Sequence, residues 1–140
     1  MPATETPRVF RVLLQAADLD QSRRFYERLL AVPGRPVGGG RVYFDCGPVI
    51  LGLVDPASEG EARVRAWPEP LYLATSDLDG VFERARALGC LSPLKVHDDP
   101  AGEIVVRPWG ERSFYADDPA GNPLCFVDAD TLFTGRDRPS

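Results

Sequence analysis

The sequence is poor in the residues that usually build metal centres. It holds one histidine, His97, and three cysteines, Cys46, Cys90 and Cys125, none in C-x-x-C spacing. An odd cysteine count without paired spacing argues against both a disulfide framework and a structural zinc knot, and fits a reducing cytoplasm. No run approaches the ~20 apolar residues of a membrane span. The stretch from Met1 to Arg8 is short and polar, without the charged-then-apolar order of a signal peptide. Basic residues do not dominate either: 16 Lys plus Arg stand against 21 Asp plus Glu, a net charge of −5, so no stripe exists to neutralise phosphates. Neither nucleic acid nor a membrane is an expected partner. All but one of the basic residues are Arg, which reads first as the codon bias of a GC-rich genome and second as a choice of the better anion-gripping side chain.

What the chain does have is a repeat. Val12-Leu13-Leu14-Gln15-Ala16-Ala17-Asp18-Leu19-Asp20 returns in outline 59 residues later as Leu71-Tyr72-Leu73-Ala74-Thr75-Ser76-Asp77-Leu78-Asp79. Leu51-Gly52-Leu53-Val54-Asp55 is likewise echoed by Leu124-Cys125-Phe126-Val127-Asp128. Each copy reads as strand, turn and helix start. Matching first and last strands imply two copies of one supersecondary unit that bury their apolar faces together. At 140 residues the chain fits a single domain, 1–140, that the repeat divides into module 1 (about 8–55), a linker (56–69) and module 2 (about 70–130).

Within module 1, Phe10, Val12 and Leu14 alternate with Val9, Arg11, Leu13 and Gln15, so one strand face is core and the other wetter. Asp18 or Asp20 caps a helix whose Phe25, Tyr26, Leu29 and Leu30 recur at core spacing until Pro33-Gly34 stops it. Gly38-Gly39-Gly40 turns the chain into strands over 41–46 and 49–54, hinged at Gly47-Pro48, with one further short strand around Pro36. In module 2 the strand 71–75 leads to a helix with Val81, Phe82, Ala85 and Leu88 on one face and Gly89 as its stop. Strands follow at about 94–98, 103–107, 112–117 and 123–127. The tail from Arg136 is expected to fray.

Two β-α-β-β-β units, Asp-Leu-Asp before each helix, Pro108-Trp109-Gly110-Glu111-Arg112, and the turn Asp118-Pro119-Ala120-Gly121-Asn122-Pro123 together resemble the vicinal oxygen chelate superfamily: glyoxalases, bleomycin resistance proteins and extradiol dioxygenases. The resemblance covers about residues 9–128. It implies an α+β fold of two tandem modules, curled mixed sheets with helices on their outer faces. It also implies a homodimer whose grooves are shared between chains.

Metal-dependent members of that superfamily set ligands on the cup-facing sides of four strands. By the Asp-Leu-Asp anchors those positions fall on Arg11, Gly52, Pro70 and Cys125. Arg, Gly and Pro side chains do not bind a divalent cation, and a lone thiolate does not make a site. The expectation is therefore no metal, no cofactor and no assigned catalytic residue, but a cup that binds a planar or anionic small molecule. Its expected ligand-binding residues are Arg11, Leu13, Gln15, Tyr72, Trp109 and Cys125, with Ile50, Gly52 and Ala74 lining the same wall and Trp67 near the rim.

Several readings stand side by side. Arg11 either grips a carboxylate or phosphate, or pairs internally with Asp45, Glu103 or Asp117. Trp109 stacks on a ligand or wedges its turn, and Tyr72 and Tyr43 bond a ligand or cap the core. His97 reads as a strand-end surface residue and Cys125 as a small buried hydrophobe. Two other functions remain: a metal-dependent lyase, isomerase or dioxygenase with displaced ligands, and a structural domain whose cup is plugged by its own side chains. The segment 130–135 is either a docking tail or a cover on the cup.

Overall fold

The computed structural model describes residues 5–136. The expected fraying of the tail falls mostly on residues 137–140, outside the described residues. Among those described, no helix is long and apolar enough to cross a membrane.

Each module is built the same way. β1 (Arg11–Gln15) runs into α1 (Leu19–Leu30), then β2 (Arg35–Gly38), β3 (Arg41–Cys46) and β4 (Val49–Val54). Module 2 repeats this with β5 (Leu71–Thr75), α2 (Leu78–Leu88), a hairpin of β6 (Lys95–Val96) and β7 (Asp99–Pro100), then β8 (Val105–Val106), β9 (Arg112–Asp117) and β10 (Pro123–Asp128). The sheets order β1-β4-β3-β2 and β5-β10-β9-β8. In each, the first strand pairs parallel with the last and the other pairings are antiparallel. A parallel pair needs a crossover, and the helix supplies it.

The Asp-Leu-Asp echo sets both helix starts. Asp18 accepts the Gln21 N–H at 3.0 Å and Asp77 the Gly80 N–H at 3.1 Å, each satisfying an orphan donor of the first turn. α2 ends at Gly89 as expected, with φ 68° and the Gly89 and Cys90 amides returning to Arg86 and Ala85. α1 ends two residues before the expected Pro33-Gly34 stop. Ala31 takes the left-handed cap at φ 56°, a conformation usually left to Gly or Asn.

One core serves both modules. Leu14, Phe44, Leu51 and Leu53 from the first sheet, Phe114, Leu124 and Phe126 from the second, and Tyr26, Leu29, Val81 and Ala85 from the helices form a single buried cluster. Each sheet thus buries its helix-covered face and presents the other away from the helices. On the first sheet that other face carries Arg11, Leu13 and Gln15 beside Ile50, Gly52 and Val54, with Tyr43 next in register. On the second it carries Tyr72, Ala74, Cys125, Val127, Ser113 and Tyr115.

The modules are locked at the 118–122 turn. Asp118 accepts from its own turn's Ala120 and Asn122 amides, from Asn122 Nδ2, and from Tyr26 O–H of α1 at 2.7 Å. Asn122 in turn donates to Gln15 O and accepts from Trp67 N–H. A turn of module 2 therefore ties down a helix and a strand of module 1 and the segment between modules.

The long strands expected over 94–98 and 103–107 shrink to two-residue pieces. Positive φ at His97 and Asp98 turns the chain sharply there, and Pro100 removes a ladder donor. The segment 55–70 holds a short 3₁₀ turn, Pro56–Glu59, capped by Asp55.

Candidate binding faces

The non-helical faces of the two sheets carry separate depressions. On module 1, Leu13, Gln15, Val54 and Trp67 line one of about 460 Å³, with Arg41, Glu59, Glu61 and Arg65 around it. On module 2, Tyr72, Ala74, Trp109 and Val127 line another of about 650 Å³, with Glu111, Leu132 and Phe133. The six expected binding residues therefore divide: Leu13 and Gln15 share the first hollow, Tyr72 and Trp109 the second, and Arg11 and Cys125 line neither.

Arg11 stands exposed on the open face of β1. Its guanidinium lies 4.9 Å from the Phe10 ring centre and 5.7 Å from that of Tyr43. Asp45 pairs with Arg35 at 2.5 Å, and among the described residues no carboxylate reaches Arg11. Two aromatic faces hold the cation while its N–H donors point to no protein anion. Gln15 and Trp67 are tied to the backbone: Gln15 Oε1 accepts from Arg65 N–H and Trp67 Nε1 donates to Leu13 O at 3.0 Å. Trp67 thus covers the free edge of β1, filling a backbone acceptor that an edge strand leaves open.

On module 2 the face is partly filled by its own side chains. The β6–β7 hairpin and the chain after it lay Ala101 and Val96 over Tyr115, Cys125 and Val127 in a second small core. Arg107, 2 % exposed, runs into this layer. Its guanidinium donates to Ser113 Oγ and to the carbonyls of Pro100, Ala101, Glu103 and Ser113, and sits 5.2 Å from the Tyr115 ring centre. A buried cation is tolerable when its donors are satisfied in this way. Cys125, 1 % exposed, lies beneath that layer, and burial pushes its thiol up to about 11, against the opposing pull of Ser113, Tyr115 and Arg107. Burial likewise pushes the Tyr115 phenol up, with Cys125 and Tyr72 adding to the effect. At neutral pH Cys125 is a protonated thiol with little nucleophilic or ligating character.

Beside this plug the hollow stays open. Tyr72 is 56 % exposed and Phe133 50 %. Trp109 meets the His97 ring edge-on at 5.3 Å and donates its indole N–H to Glu111 at 2.7 Å. The other Glu111 oxygen accepts from the Phe133 amide at 2.9 Å, and Thr131 Oγ1 accepts from Arg112 N–H. The segment 130–135 thereby closes one side of the hollow. Arg107, Glu111 and Phe133 were not singled out from the sequence. Glu111 sat inside a quoted motif, and the Leu132-Phe133 pair after the last strand was a usable sign of one more apolar wall.

The residues at the superfamily's metal positions do not fit a metal. A Cβ on Gly52 would meet Leu13 Cδ2 at 2.5 Å and Tyr43 Cε1 at 3.0 Å, so even a methyl group is crowded there. Arg11 brings a positive charge, Pro70 no donor, and Cys125 a thiol held protonated. Among the described residues no three His, Cys, Asp or Glu gather closely enough to hold an ion.

No family model matches the chain, and no curated protein matches it in sequence. Solved structures do match in fold. A glyoxalase/bleomycin resistance protein from Albidiferax ferrireducens T118 superposes with a TM-score of 0.68 at 18% identity, covering 85% of this chain and 97% of that one. A lactoylglutathione lyase from Agrobacterium tumefaciens gives 0.65 at 25% identity, with 89% and 96% covered. A glyoxalase/bleomycin resistance protein/dioxygenase from Nocardioides gives 0.64 at 22% identity, with 99% and 92% covered.

Proposed function

We propose that this chain, a member by fold of the vicinal oxygen chelate superfamily, is a metal-independent binding protein that holds a planar or anionic small molecule on the open faces of its sheets. The observation that carries this reading is Arg11: an exposed cation flanked by Phe10 and Tyr43, with no protein carboxylate in reach among the described residues. A guanidinium beside two rings offers bidentate hydrogen bonds to a carboxylate or phosphate, and the rings offer flat apolar surface to the group that bears it. The crowding at Gly52 and the protonated thiol at Cys125 support a role that needs no Lewis acid.

We further propose that the protein works as a homodimer. Tyr72 and Phe133, on the open face of module 2, are large and at least half exposed. A two-fold axis that sets the module 1 face of one protomer against the module 2 face of its partner would cover them and close a cup between chains.

Isothermal titration of the purified protein with aromatic carboxylates and their neutral amides tests the binding role. The carboxylates are expected to bind more tightly, and Arg11→Ala to weaken them by about 1.5–3 kcal/mol, the scale of a charged hydrogen bond, without change in thermal unfolding. Equal affinity in both proteins would remove Arg11 from the site.

A further inference from the structure

The module 2 hollow has a chemistry of its own. Its floor carries Glu111, only 8 % exposed, whose two oxygens accept from the Trp109 indole and the Phe133 amide. Both donors are neutral. Arg107, the neighbouring cation, has its guanidinium committed to Ser113 and four carbonyl oxygens, and among the described residues no Lys, Arg or His pairs with the Glu111 carboxylate. Tyr72, Trp109 and Phe133 surround the same hollow. A buried carboxylate that no cation pairs with is costly, and aromatic faces around such a group favour positive charge over neutral or negative.

We infer that this hollow is a site for an organic cation, a quaternary or protonated amine carried on a flat ring, with Glu111 as counter-ion and Tyr72, Trp109 and Phe133 as the aromatic wall. The inference rests on the proposed binding role and assigns the charge that its second face selects. Arg11 then serves the anionic end and Glu111 the cationic end of a dipolar ligand, or the two faces serve different ligands.

The probes are benzyltrimethylammonium, benzyl alcohol and phenylacetate, titrated into the full-length protein by calorimetry and followed by the two indole N–H resonances. Benzyltrimethylammonium is expected to bind at least about fivefold more tightly than benzyl alcohol, within the range of cation–π attraction. It should shift the Trp109 indole signal, whose N–H is bonded to Glu111, and leave that of Trp67 in place. Glu111→Gln should abolish the preference for the cation. Should Glu111→Gln fail to fold, Phe133→Ala at an exposed position is expected to weaken cation binding several-fold with unfolding unchanged. Binding of phenylacetate or benzyl alcohol at the Trp109 signal in preference to the cation would overturn the assignment of charge alone. A shift at Trp67 only would overturn the location, and no binding of any of the three would overturn the binding role itself.

Discussion

Replacing Asp118 by alanine puts the inter-module lock to the test. In the folded chain this carboxylate is almost fully buried and accepts four hydrogen bonds: from Tyr26 O–H at 2.7 Å, from the amides of Ala120 and Asn122 at 2.9 and 2.8 Å, and from Asn122 Nδ2 at 2.8 Å. Asn122 Nδ2 keeps Gln15 O as a second partner, so its loss is partial. Tyr26 O–H and the Asn122 amide, both on fully buried residues, would be left without an acceptor. Each stranded donor costs about 1–3 kcal/mol, which for the two sums to about 2–6 kcal/mol. We therefore expect a loss near the middle of that range, about 3–5 kcal/mol. At about 3–4 °C per kcal/mol for a chain of this size, the midpoint of thermal unfolding should fall by roughly 10–20 °C. Differential scanning calorimetry with urea unfolding as a second measure reads this directly. Tyr26→Phe deletes one of the four bonds and should cost about 1–2 kcal/mol. The double variant should cost less than the sum, because both single changes remove the same bond. A loss below about 1 kcal/mol for Asp118→Ala would refute the lock.

Two other outcomes are expected. Gly52→Ala should destabilise by about 1–3 kcal/mol in urea unfolding, because its methyl group meets Leu13 and Tyr43, and a variant as stable as the parent would contradict the packing argument. Stability should also fall at alkaline pH: burial raises the Cys125 and Cys90 thiols from 9.0 to about 11 and raises the Tyr26 phenol, so their neutral forms favour folding. For the two thiols that contribution is fully present below pH 9 and is lost as pH rises through about 11, whereas for Tyr26 it is lost only above pH 10. For Cys125 two units amount to at most about 2.7 kcal/mol. Urea midpoints between pH 8 and 11 should fall in the parent and less steeply in Cys125→Ala, and equal slopes would remove Cys125 from the effect.

The repeat made the frame legible from sequence. The Asp-Leu-Asp echo marks both helix starts while leaving Asp18 and Asp20 open as the first cap, and alternation in 9–15 places Arg11, Leu13 and Gln15 on the face away from the core. Contacts distant in sequence were not legible. The 118–122 turn read correctly as a turn, but nothing local announces that its Asp holds Tyr26, 92 residues earlier. The sequence sets Trp67 at a rim, whereas its indole caps a backbone acceptor on the edge of β1. Strand alternation sets Cys125 on the cup wall, and it gives the face correctly. It carries no information that Arg107 and the hairpin after α2 lie across that face. Glu111 was missed for a related reason: its role depends on Trp109 and on Phe133, which arrives from beyond the last strand.

The central claim is that the protein binds its ligand without a metal, as a pair of chains. Native mass spectrometry of protein purified without chelator reads mass, metal content and retained small molecules together. A dimer free of divalent ions is expected, with any retained molecule lost or weakened in Arg11→Ala. One divalent ion bound per chain would contradict the account and direct attention to metal-dependent chemistry at residues other than Arg11, Gly52, Pro70 and Cys125.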